Sequence, residues 1–156
     1  MYYAEKQLVK ALPKLAKATT HEDLRDAILT HLTETEGHVD MVERIFESFG
    51  QPPKSKRCPA IVGIIDEADG IVSENKKSPT INAAIVYAAQ KAEHYEIASY
   101  GSLREWARLL QNDTAANLLE EILEEKAADA KLTELAMTHC NPSAESEQET
   151  PMAHAM

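Results

Sequence analysis

The sequence predicts an all-α protein of four long helices paired as two hairpins, with a fifth, shorter helix crossing between the pairs. Three observations carry that prediction. The chain is 44% apolar, has only five Gly, two Phe and one Trp, and is rich in Ala, Leu, Glu and Lys, a composition that favours helix over sheet. Apolar residues recur at helical spacing through five stretches, and the stretches are separated by Thr, Pro, Gly, Ser or Asn clusters. Acidic residues interrupt the apolar faces at a repeated interval: Glu5 and Glu34 lie 29 residues apart, and so do Glu96 and Glu125.

The first helix is predicted from about Tyr2 to Ala18. Leu8, Leu12 and Leu15 share one side, and Glu5 falls on the same stripe. Pro13 argues against this helix, since a mid-helix proline kinks or shortens it. A second helix starts after Thr19 and Thr20, with Glu22 and Asp23 favourably placed in its first turn, and stops at Gly50. Its inner stripe reads Leu24, Ile28, His31, Thr35, His38, Val42, Ile45, flanked by Ala27, Glu34 and Met41. That stripe is polar in the middle and apolar at both ends. After a basic connector, residues 51–57, a shorter helix from about Pro59 to Glu74 carries Ile61, Ile64, Ile65, Ala68, Ile71 and Val72, as a crossover packed on the bundle would. The fourth helix, about Thr80 to Leu110, has a stripe of Val86, Ala89, Glu93, Glu96, Tyr100 and Leu103. Asn112 and Asp113 cap a fifth, about Thr114 to His139, whose stripe reads Ala115, Leu118, Ile122, Glu125, Asp129, Leu132, Ala136.

Two long hairpins joined by a crossing segment match the ferritin-like four-helix arrangement. The length of 156 residues suits one domain, predicted over residues 1–139. Residues 140–156 are Ser-, Glu-, Pro- and Ala-rich without periodicity and are expected to be a disordered acidic tail. A net charge of −10 and a pI near 5.0 argue against nucleic-acid binding through phosphates. Cys58 and Cys140 lack CxxC spacing, so the expectation is two free thiols, the second in the tail, rather than a disulfide. No signal-peptide pattern opens the chain, and no apolar run approaches the ~18 residues of a membrane span. A cytoplasmic location follows as the expectation.

A carboxylate on an apolar helix face costs several kcal/mol unless compensated, so four in equally spaced pairs suggest a shared compensator. A pair of metal ions is the candidate. Di-metal carboxylate bundles place one Glu on each of two helices and Glu-x-x-His on the other two. Here the pair on the second helix is Glu34 and His38, four apart, which still shares a face. The fifth helix offers Glu125 and Asp129, with no histidine. The fourth offers Glu93 and Glu96, between which spacing does not choose. The predicted metal set is therefore Glu5, Glu34, His38, Glu93, Glu96, Glu125 and Asp129, with Glu121 as a weaker substitute. Seven exceed the six that the motif uses, so one is expected to support a ligand rather than bind. His31 is assigned to packing or to support of a ligand, and Tyr95 and Tyr100 to packing first. The ligands would be two metal ions, iron first, with manganese or zinc as alternatives.

Several stretches resemble the YciE/YciF family of ferritin-like bacterial stress proteins. They are Tyr3-Ala4-Glu5-Lys6-Gln7-Leu8, His31-Leu32-Thr33-Glu34-Thr35-Glu36-Gly37-His38, the run from Lys91 through Glu93, His94, Tyr95 and Glu96 to Leu103, and Glu124-Glu125-Lys126-Ala127-Ala128-Asp129. The resemblance spans about residues 2–138. It implies a ferritin-like helical fold, a homodimer and a di-metal centre related to that of rubrerythrin, but no particular reaction and no redox partner. Three departures matter, one being an acidic run before Lys126 that is one residue shorter than usual, which bears on the register of Glu121 and Glu124. The first helix begins almost at Met1, which puts Glu5 on a fraying end. The family often has Gln where His38 stands.

Two functions follow as expectations. One is a stress-response protein whose carboxylate/histidine di-metal site handles iron, oxygen or peroxide. The other is a non-enzymatic, dimeric helical protein whose acids form a buried polar layer, with Lys91 and Lys126 as ion partners.

Overall fold

Apolar stripes at helical spacing bury themselves only against one another, and the helices of this chain do so in two antiparallel pairs. The computed structural model describes residues 1–128, 134 and 136–148, and no strand occurs among them. Helices α1 (Tyr2–Ala18) and α2 (Glu22–Ser48) form the first pair, and α4 (Ile81–Leu109) and α5 (Asp113–Ala128) form the second. Between them α3 (Pro59–Asn75) packs on α1 and α4. The all-α bundle with a crossover helix is thus the observed fold.

The ends of the helices explain the topology. Gly50, at φ +65°, ends α2, and its N–H and that of Gln51 return to the carbonyls of Glu47 and Phe46. At one end of the bundle Asn82, opening α4, bonds Thr19 and Thr20 of the α1–α2 loop at 2.7–3.0 Å. At the other end Asn112 caps α5 through the Ala115 N–H and holds the Ser48 carbonyl at 3.2 Å. The starts of α2 and α4 therefore meet, as do their ends, so the two helices run parallel. A parallel pair needs a connection that travels the length of the bundle, and the 17 residues of α3 supply about 25 Å of it.

Two apolar clusters bracket a polar layer. One holds Leu12, Leu15, Leu24, Ile28, Ile81, Ile85 and Val86. The other holds Val42, Tyr100, Ala107, Ala115, Leu119 and Ile122. A third, of Ala4, Leu8, Ile61 and Ala92, lies under α3. Pro13 lies on the exposed side of α1, and the helix runs on through it.

Three expectations are corrected. Glu5 is not on a fraying end, because it is fully buried. The described part of the predicted tail is helical: a π-helical turn, Ala136–Cys140, leads into helix α6, Asn141–Gln148, while residues 149–156 lie outside the described residues. Cys140 is no tail thiol, since it is buried in the first apolar cluster, a hydrophobic anchor that periodicity does not reveal. The predicted fifth helix is described as α5 only to Ala128. Among the described residues no helix is long and apolar enough to cross a membrane.

Candidate metal centre

The polar layer is built from one face each of α1, α2, α4 and α5. Glu5 on α1, His38 on α2 and Glu96 on α4 are at most 1% exposed, and each offers a ligand atom within 4.8 Å of the others. His31, Glu93 and Glu96 form a second such set. Glu96 belongs to both sets.

Each histidine is oriented by carboxylates. His38 Nε2 lies 2.9 Å from Glu125 Oε2, while its Nδ1 faces Glu5 Oε2 at 3.9 Å. A proton held on Nε2 by Glu125 leaves the Nδ1 lone pair turned into the centre. His31 Nε2 lies 2.7 Å from Glu93 Oε1, and its Nδ1 lies 3.4 Å from Glu34 Oε2. Tyr100, fully buried, donates its hydroxyl proton to Glu5 Oε1. Lys126 enters from α5. Its Nζ donates to Glu93 Oε2 at 3.2 Å and lies 3.0 Å from Glu96 Oε1, an ion-pair distance poorly angled for a hydrogen bond.

Burial and charge act differently on the two α4 acids. For Glu96, burial pushes the carboxyl well above its usual range, and the neighbouring Glu5 carboxylate adds to the push, which Lys126 only partly opposes. For Glu93, burial also pushes upward, but the His31 hydrogen bond and charge and the Lys126 ammonium outweigh it and hold the carboxyl at about 2. Burial pulls Lys126 down, yet Glu96, Glu93 and Glu5 together raise it, so it stays charged. Burial and Glu5 push the Tyr100 phenol up, keeping it a donor.

Of the seven residues proposed from the sequence, the structure brings Glu5, His38, Glu93 and Glu96 into the two sets. Glu34 and Glu125 stand at the rim, their side chains 42% and 40% exposed, each against a histidine. Asp129 lies outside the described residues. Sequence reasoning set aside His31, which stands in the second set although its stripe position already faced inward. It also gave Lys126 only to the metal-free alternative and Tyr100 to packing. The signal for Lys126 was its place four residues after Ile122, on the buried side of α5.

The side chains fit a pair of metal ions. Glu5 Oε2, His38 Nδ1 and both Glu96 oxygens are buried without a hydrogen-bond partner among the described residues. The Lys126 ammonium reaches one of them, Glu96 Oε1; leaving the others unpaired is costly, and a metal cation among them would satisfy them. Carboxylate oxygens with imidazole nitrogens suit iron, manganese or zinc.

Fold and centre together define a helical bundle with a buried carboxylate–histidine layer. The chain belongs to the family described as domain of unknown function DUF892, whose model matches residues 1–145. It is 47% identical over 146 residues to Protein YciF of Escherichia coli strain K12, covering 92% of this chain and 88% of that protein. The crystal structure of the E. coli stress protein YciF matches with a TM-score of 0.84 at 46% identity, over 90% of this chain and 89% of the other. YcfI from Rhodopseudomonas palustris matches with a TM-score of 0.80 at 43% identity, over 85% of each chain.

Proposed function

We propose that this chain is a cytoplasmic stress-response protein that binds two metal ions in its bundle and acts on iron, oxygen or peroxide. The buried ligand atoms of Glu5, His38 and Glu96, which lack hydrogen-bond partners among the described residues, support this reading most directly. Glu5 and His38 would hold one ion, Glu93 and His31 the other, with Glu96 between them. Glu125 and Glu34 would orient the imidazoles, and Tyr100 would fix the Glu5 carboxylate. Two redox-active ions held there would supply two electrons, one from each. The similarity to the E. coli stress protein YciF is in keeping with that role.

One observation favours a second reading, a metal-free helical protein. Lys126 is a cation already inside the layer, ion-paired with Glu93 and Glu96. Elemental analysis decides between the two, on protein purified without chelator and again after anaerobic reloading. The di-metal reading expects more than one iron or manganese per chain after reloading, lost in Glu96→Ala. Traces of metal, equal in both proteins, would instead favour the scaffold.

A further inference from the structure

The two ligand sets are not equivalent. In the first, Glu5 Oε2 and His38 Nδ1 are without hydrogen-bond partners. In the second, both Glu93 oxygens are engaged, Oε1 by His31 at 2.7 Å and Oε2 by Lys126 at 3.2 Å. The Lys126 side chain is 1% exposed, and its ammonium also reaches Glu96 Oε1 at 3.0 Å. A buried lysine stays charged only where carboxylates hold it.

We infer that Lys126 is a resident cation of this centre: its ammonium fills the Glu93–Glu96 position in the metal-free protein and makes metal loading sequential. The first ion enters at Glu5, His38 and Glu96. The second enters at His31, Glu93 and Glu96 only as the Lys126 ammonium leaves. This inference rests on the metal reading above.

Position supports the order: the Lys126 ammonium already stands against both carboxylates of the second set, whereas Glu5 Oε2 and His38 Nδ1 of the first have no hydrogen-bond partner among the described residues. There is also a way out. His31, Glu34, His38, Glu93, Glu125 and Lys126 line one tight crevice, and its half-exposed carboxylates, Glu34 and Glu125, offer a displaced ammonium new partners near solvent.

The test is anaerobic titration of the full chain with Co(II), followed by calorimetry and by ligand-field absorption. The wild type is expected to take one equivalent tightly and a second more weakly, with a gap on the order of tenfold to a hundredfold. Lys126→Met, close in length and uncharged, is expected to bring the second equivalent up to the first. A second measurement needs no variant: acetic-anhydride footprinting by mass spectrometry should find Lys126 protected in the metal-free and singly loaded wild type, and reactive once the second equivalent is bound. Two equal equivalents in the wild type, or a Lys126 that stays protected through both, would overturn the inference and leave the metal reading standing. No binding by either protein would overturn both.

Discussion

Glu93 and Glu96 sit one helical turn apart on the same buried stripe, yet their surroundings push their carboxyls in opposite directions. Proton linkage turns that difference into a prediction for the metal-free protein in chelator. The folded state holds Glu96 protonated well above the ordinary 4.5, while the unfolded state releases the proton near that value. Its stabilising effect is therefore full below pH 4.5 and is lost as pH rises through the raised pKa. Glu93, held at about 2, works the other way: its contribution is present above 4.5 and is lost as pH falls toward 2. Urea midpoints measured from about pH 2 to about pH 8 should show Glu96→Gln removing the decline on the alkaline side. Glu93→Gln should flatten the acid limb. A Glu96→Gln profile that tracks the wild type would contradict this assignment. At this scale the sequence identified which residue types meet, but not which carboxylates lie deep. By count Glu34 flanks the α2 stripe and Glu125 lies on the α5 stripe, and only the packing of the bundle leaves both at the rim.

At the scale of elements, α5 shows how a 3.6-residue period leaves a choice open. From Ile122 a step of three leads to Glu125 and a step of four to Lys126, and both continue the same broad face. Packing selects the second: Ala115, Leu119, Ile122 and Lys126 are buried. Lys126 buries its apolar stem and carries its charge to the acids. The C-terminal segment is a second case. Its composition reads as tail, and one buried residue, Cys140, ties it to α1, α2 and α4. The two thiols should consequently differ. Burial raises the Cys140 thiol. At the head of α3 burial pushes the Cys58 thiol up too, but the Tyr95 hydroxyl and the Ala60 and Ile61 amides outweigh it and lower it. Thiol labelling of the native protein should modify Cys58 quickly and Cys140 only on unfolding, and Cys140→Ser should cost about 1–3 kcal/mol of stability in urea. Equal labelling rates at the two sites would refute the docked position of Cys140.

Across the whole molecule, the parallel course of α2 and α4 imposes the crossover helix, and the end of the bundle toward the α4–α5 loop carries exposed apolar side chains. There an open cavity of about 430 Å³ is lined by Tyr2, Phe46, Phe49, Trp106 and Leu110 among others. Trp106 is 59% exposed, Leu109 80% and Leu110 67%. Large apolar side chains gathered at one end of a bundle mark an association surface. We propose that a second copy of this chain covers it, forming the homodimer that the family resemblance implies. Light scattering behind size exclusion should give a dimer for the wild type and a monomer for Trp106→Glu, with the helical circular dichroism unchanged. A wild-type monomer at micromolar concentration would remove this proposal.

The sequence by itself determined the helices, their pairing and the polar middle of each stripe, because local propensity and a period of 3.6 decide those and both are written in neighbouring residues. It also placed Glu5, Glu34, Glu96 and Glu125 alike on the inner stripes, without ranking their depth and without choosing between Glu93 and Glu96. Only the tertiary structure decided that Glu125 and Glu34 brace histidines, that His31 joins the centre, and that Lys126 lies among the acids. Those relations join α1, α2, α4 and α5 across the bundle, and no spacing along one helix encodes how the next is rotated against it.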